Sequence, residues 1–205
     1  MGLNNRKDEK ISTPESITAL NHIPVVDIAA GHQHMLALTE EGHVYSVGNG
    51  MNGRLGHPDI VHEYLSKFRR IEALDDENTS AGEGPVTRIF AGKAFNVAIT
   101  SAGQVYTFGA GELGQLGHQE NKDKKIPKKI SALRQQEIGV SLVATGDEFM
   151  MMTSGMPNEE DQFNTDKPGV FMSMGSNVHL QLGENSGRNQ WVRTLFHPIV
   201  YKLYI

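Results

Sequence analysis

One two-part pattern occurs three times along this chain, and a chain that repeats in sequence is bound to repeat in space. The first copy opens at Ala29-Ala30-Gly31-His32-Gln33-His34-Met35-Leu36-Ala37-Leu38-Thr39 and continues at Gly42-His43-Val44-Tyr45-Ser46-Val47-Gly48, closing on Arg54-Leu55-Gly56. The second opens at Phe90-Ala91-Gly92-Lys93-Ala94-Phe95 and closes on Phe108-Gly109 and Gln115-Leu116-Gly117. The third opens at Ala144-Thr145-Gly146-Asp147-Glu148-Phe149 and closes on Met174-Gly175 and Gln181-Leu182-Gly183. The repeat period is roughly 55 to 65 residues, near the length of a propeller blade.

Each copy has the grammar of short antiparallel strands. Met35 to Thr39 and Val44 to Val47 are strand-like runs separated by Glu40-Glu41-Gly42, a turn with glycine where positive φ is needed. Ser101-Ala102-Gly103 repeats that turn. The runs are small and apolar, as strands buried on both faces must be. Gly48, Gly109 and Gly175 mark a bend with close backbone approach, and Leu55, Leu116 and Leu182 plug the core. The polar stretches Ile11 to Asn21, His62 to Glu72 and Lys124 to Leu133 are expected to hold the remaining strands, with Pro14 and Pro127 at edge positions. Ser154 to Pro168 is an insertion, read as an exposed hairpin loop. The expectation is an all-β fold, a partial β-propeller of about three to four four-stranded blades. It forms one region over residues 1–205, with repeat cores at 25–57, 86–118 and 140–184.

Composition excludes several classes. The 205 residues contain 22 Gly and no Cys, which suits many tight turns and removes disulfides, thiolate zinc sites and thiol catalysis. The net charge of -5 gives no bulk attraction to nucleic acid. No stretch reaches the length of a membrane span, and Met1 to Lys10 lacks the apolar segment of a signal peptide.

The strings AGHQHMLALTEEGHVYSVGNGMNGRLG and AGKAFNVAITSAGQVYTFGAGELGQLG resemble the repeat of the regulator of chromosome condensation family. That repeat has a Gly-x-x-His loop, an apolar strand, a Gly turn, an aromatic-Gly pair and a Gly-Gln-Leu-Gly close. Gly31, Gly48, Gly56, Gly92, Gly109, Gly117, Gly146, Gly175 and Gly183 match its structural glycines. Two positions depart: the family's Trp is Val47, Phe108 and Met174 here, and its loop His is kept only as His34, with Phe95 and Phe149 in the other copies. A complete family propeller has seven blades. Three clear units and part of a fourth therefore suggest a fragment or truncated product similar to the C-terminal half, or a chain completed by a missing propeller half.

The resemblance implies a docking face for a Ran-type small GTPase, with exchange by stabilising the nucleotide-free GTPase, nucleosome or chromatin association, and a nuclear location. Under it Gln33, His34, Asp147 and Glu148 are the candidate contacts; His34 also fits a purely architectural role. The alternatives are a non-catalytic adaptor of the ciliary or ubiquitin-ligase type, including a cytoplasmic one, and a product without exchange activity. No covalent chemistry is expected, and no cofactor. His32-x-His34 has ligand-like spacing but no third ligand, so no metal is expected. His57 and His118 follow the Leu-Gly of successive copies, which argues for architecture. Lys122 to Lys129, the basic run, reads either as a phosphate contact or import signal or as a solvated loop. Gly109-Ala110-Gly111-Glu112-Leu113-Gly114 matches a dinucleotide fingerprint in letters only, since it recurs as a blade bend.

Overall fold

The structure, a computed structural model, describes residues 13–14, 16–60, 62–79, 82–135, 139–154, 171–183 and 190–195. Among the described residues, twelve strands form three antiparallel sheets of four, each taken in chain order. Blade 1 comprises β1 (Val25–Ala30), β2 (His34–Thr39), β3 (Val44–Asn49) and β4 (Tyr64–Arg70). Blade 2 comprises β5 (Val86–Ala91), β6 (Phe95–Thr100), β7 (Val105–Gly109) and β8 (Lys124–Lys129). Blade 3 comprises β9 (Val140–Thr145), β10 (Phe149–Ser154), β11 (Phe171–Gly175) and β12 (Gln190–Leu195). The fold is a β-propeller segment of three blades.

The registers are equivalent. His34 pairs with Gly48, Phe95 with Gly109 and Phe149 with Gly175. Three-dimensional equivalence therefore follows directly: Leu36, Val97 and Met151 share one position, and Ile28, Ile89 and Val143 another. The stretches His62 to Glu72 and Lys124 to Leu133 do supply outer strands, each followed by a short helical turn. Pro127 lies in β8, which among the described residues is the edge strand beside β7, where a missing N–H costs no ladder bond. Ile11 to Asn21 is corrected: its described residues hold a single 3-10 turn, Thr18–Leu20, and no strand. Pro14 there offers no backbone N–H to a ladder, and the chain leaves the extended conformation at the Thr18–Leu20 turn. The bulk of the 154–168 insertion, and Met1 to Lys10, lie outside the described residues.

Blades pack because the two faces of each sheet carry different apolar sets. Leu36, Leu38 and Val44 of blade 1 meet Ile89, Ala98 and Phe108 of blade 2. Phe95, Val97 and Ile99 on the other face of blade 2 meet Val143, Met150 and Met174 of blade 3. The glycines of the first two Leu-Gly closes, Gly56 and Gly117, admit a side chain from the following blade. A Cβ on Gly117 would lie 2.7 Å from Met174 Sδ, and one on Gly56 would lie 3.1 Å from Phe108 Cε2. The resemblance places Trp at these two positions, and here the slot accepts Phe and Met, whose side chains reach the glycine. Gly109 and Gly175, at φ 106° and 110°, let β7 and β11 pass against the turn before β6 and β10; a Cβ there would come within 2.5 and 2.4 Å of Ala94 O and Glu148 O.

Candidate functional site

Three turns, Gly31-His32-Gln33, Gly92-Lys93-Ala94 and Gly146-Asp147-Glu148, join the first and second strands of their blades and sit side by side. Each is closed by the glycine N–H donating to the carbonyl of the residue three positions on: Gly31 to His34, Gly92 to Phe95 and Gly146 to Phe149, all at 2.9 Å. The glycine is obligatory for a steric reason. A Cβ would enter the ring of that same residue, at 2.1 Å for His34, 2.0 Å for Phe95 and 2.1 Å for Phe149. Adjacent turns are stitched by backbone hydrogen bonds. The His32 amide donates to Lys93 O at 3.1 Å, and the Lys93 amide donates to Asp147 O at 3.0 Å. The Thr145 hydroxyl adds a bond to Ala91 O at 2.9 Å. Together the turns line a shallow concavity of about 340 Å³, walled by the three turn glycines, His32, Lys93 and Asp147.

The candidate contacts fall into two groups. Gln33 and Asp147 are exposed on the turns, and Glu148 is half-buried. The Gln33 amide oxygen is held by Asn49 Nδ2 at 2.8 Å, and Glu148 lies 3.7 Å from Lys93 Nζ. His34 is different, and its reading as a contact is corrected: it is 0% exposed and points into the junction of blades 1 and 2. Its Nε2 lies 2.6 Å from Asn96 Oδ1, and Asn96 Nδ2 donates to Arg54 O at 2.7 Å. The Asn96 oxygen can only accept, so His34 carries its proton on Nε2, and its buried Nδ1 has no partner. Burial pushes the imidazole down to about 4, so it is neutral near pH 7. In the junction of blades 2 and 3 the same two positions are Phe95 and Met150, both fully buried. The ring at this position is an inter-blade packing element, polar in one junction and apolar in the next. The sequence pairing His34 with Asn96, and Phe95 with Met150, was visible only once the register was known.

His32 is exposed on its turn while His34 is enclosed and hydrogen-bonded, so the two are not gathered at one site. His57 and His118 make the same architectural contact in successive blades. The Ser46 hydroxyl donates to Leu55 O at 2.7 Å and accepts from His57 Nε2 at 3.0 Å; Thr107 does the same with Leu116 O and His118. Burial holds both imidazoles down at about 4. The basic run lies on the outer strand of blade 2, and its charges are largely matched. Lys124 and Lys128 share Glu120, at 2.7 and 3.3 Å, and Lys129 pairs with Glu83. The two lysines hold the Glu120 carboxyl down at about 2. Among the described residues, no group of three or more His, Asp or Glu is placed to hold a metal ion.

Three stacked four-stranded blades with repeated Gly-x-x turns on one face define a β-propeller repeat protein. The chain belongs to the regulator of chromosome condensation (RCC1) repeat family, whose model matches residues 41–99 and 102–152; a second model of the same repeat matches residues 25–54. It is similar to human E3 ubiquitin-protein ligase HERC2, 32% identical over 145 residues, covering 68% of this chain and 3% of that protein. Its fold is similar to that of human WBSCR16, with a TM-score of 0.66 at 24% identity, covering 83% of this chain and 39% of that one. It is also similar to Prp20p from Saccharomyces cerevisiae, with a TM-score of 0.56 at 21% identity, covering 68% and 33% of the two chains. Both structural likenesses show the fold. The chain thus spans a small part of the ligase and about a third of the two solved propellers.

Proposed function

We propose that this chain is a non-catalytic protein-docking segment that binds its partner through the face formed by the three Gly-x-x turns. The observation that carries this reading is the stitched row of turns. Backbone hydrogen bonds fix His32, Lys93 and Asp147 relative to one another, so the polar groups on that face are pre-organised, which lowers the entropic cost of docking. The finer reading is a Ran-type small GTPase as partner, with nucleotide release driven by preferential binding of the nucleotide-free form. The exposed Asp147 and Gln33 and the half-buried Glu148 are the contacts; His34 acts behind them by packing. The reported binding of Prp20p to Gsp1p and histones supports a GTPase and chromatin as partners, and with them a nuclear location.

A second reading is a docking adaptor without exchange activity. It is favoured by the 32% identity to HERC2, which is named a ubiquitin-protein ligase. Binding of Ran to this chain, measured with and without nucleotide, separates the two. Tighter binding of nucleotide-free Ran, weakened by Asp147→Lys and Gln33→Lys but not by Glu72→Lys near the outer strand, is the expected result. Equal affinity for the loaded and empty GTPase supports the adaptor. Absence of binding rejects the GTPase as partner.

A further inference from the structure

Each of the three blades ties the turn between its first two strands to the end of its third strand through the backbone. The Asn49 amide donates to Gln33 O at 2.8 Å, the Ala110 amide to Ala94 O at 2.9 Å and the Ser176 amide to Glu148 O at 2.9 Å. Blade 1 adds a side-chain bond to that tie, from Asn49 Nδ2 to Gln33 Oε1 at 2.8 Å. In blade 2 both positions are alanine, and the same turn forms without any such bond. The added bond is therefore spare for the fold. What it does fix is the way Gln33 faces, and a backbone amide decides the direction. The Met51 N–H, which can only donate, bonds Asn49 Oδ1 at 2.8 Å. That turns the Asn49 amide nitrogen toward Gln33, with its second N–H toward the Tyr64 hydroxyl at 3.4 Å. An amide nitrogen only donates, so Gln33 answers with its oxygen. Asn49 is 1% exposed, so its end of the bond is shielded from water, which strengthens the hold. Gln33 is exposed, and the part of its side chain left to a partner is the nitrogen with its two N–H groups.

We infer that Asn49 is a positioning residue: it sets Gln33 as a hydrogen-bond donor on the turn face, where the partner meets it with an acceptor oxygen, a carboxylate or a backbone carbonyl. The exposed Asp147 on the turn of blade 3 has the opposite character, because its carboxylate only accepts. The face thus has a direction, donor over blade 1 and acceptor over blade 3. A partner that fits it carries an acceptor and a basic donor in that order, and one docked the other way round sets like against like. The positioning stands on the Asn49 geometry alone; the partner's chemistry rests on the docking reading.

The test joins a partner-free readout to a binding one. In amide spectra of isotope-labelled wild-type chain, the Gln33 side-chain protons are expected to exchange rapidly with water and those of Asn49 slowly. In Asn49→Asp the carboxylate still accepts from Met51 and can only accept from Gln33. The Gln33 amide then turns over, and its protons are expected to exchange about tenfold more slowly or less. Nucleotide-free Ran is the binding probe. Gln33→Glu keeps the side-chain length and an oxygen for Asn49 but presents an acceptor outward, and is expected to weaken Ran binding by about tenfold or more. Asn49→Asp turns the Gln33 oxygen outward and is expected to weaken it similarly. Gln33 protons already protected in the wild type, or unmoved in a folded Asn49→Asp, overturn the positioning. If Asn49→Asp does not fold, the wild-type exchange rates and Gln33→Glu, a change at an exposed side chain, decide between the outcomes. Equal binding of Ran by wild type and Gln33→Glu overturns the donor role and leaves the docking reading standing. No binding of Ran by the wild type, with the exchange pattern as expected, rejects the GTPase and supports the positioning.

Discussion

His34 carries the sharpest residue-scale lesson: its ring is the same packing element as Phe95 and Phe149, made polar by a change across the blade junction. His34→Phe alone strands the Asn96 oxygen in a dry junction and is expected to cost about 1–3 kcal/mol. Asn96→Met alone strands the His34 N–H and the Arg54 carbonyl, with a loss of similar size. The double variant installs the pair already present as Phe95 and Met150, so its cost is expected to fall below the sum by about 1 kcal/mol or more. Denaturant unfolding of the four proteins checks this, and strict additivity would contradict the shared junction. Protonation makes a second prediction. His34 and His57 titrate at about 4 in the fold against 6.5 in the unfolded chain, so the unfolded chain binds more protons between those values. Their contribution is complete above pH 6.5 and is lost as the pH falls toward 4. Thermal melts are expected to show Tm falling across that window, and less steeply in the His34→Phe, Asn96→Met double variant. A Tm independent of pH there would be the contrary result.

At the scale of elements, the Leu-Gly closes show how far the repeat can drift. Blades 1 and 2 place Gly53 and Gly114 in the left-handed region, at φ 75° and 81°, and blade 3 places Leu180 there, at φ 59°. A leucine in that conformation costs roughly 1–2 kcal/mol, part of which glycine returns through its greater freedom in the unfolded chain. Leu180→Gly is therefore expected to stabilise the chain by about 0.5–1 kcal/mol, read from the denaturant midpoint; destabilisation would show that the half-exposed leucine side chain is needed where it stands. Much at this level was legible in the sequence. The inner strands, their turns at Gly42 and Gly103, and the plugs Leu55, Leu116 and Leu182 follow from spacing and apolar runs, because local chain geometry alone demands them. The Ile11 to Asn21 segment was misread because a polar linker between blades has no periodicity to separate a strand from a turn. The fate of His34 was illegible for a different reason: a Gly-x-x-His turn looks alike whether the ring points out to a partner or in to the next blade, and only the neighbouring blade's Asn96 decides.

For the whole molecule, the row of turns is held by the blade packing, with backbone hydrogen bonds from His32 to Lys93 and from Lys93 to Asp147 running across the junctions. The glycine spacing of the turns was legible in the sequence; their side-by-side placement and the hydrogen bonds that join them were not, because they depend on how the blades stack. We propose that the turn face, through Asp147 and not through His34, engages a Ran-type GTPase. The most direct measurement is the rate of fluorescent guanine-nucleotide release from Ran in the presence of this chain, of Asp147→Ala and of His34→Phe. Accelerated release that Asp147→Ala abolishes and His34→Phe preserves is the predicted result. No acceleration by the folded chain, or acceleration lost in His34→Phe and kept in Asp147→Ala, would contradict it.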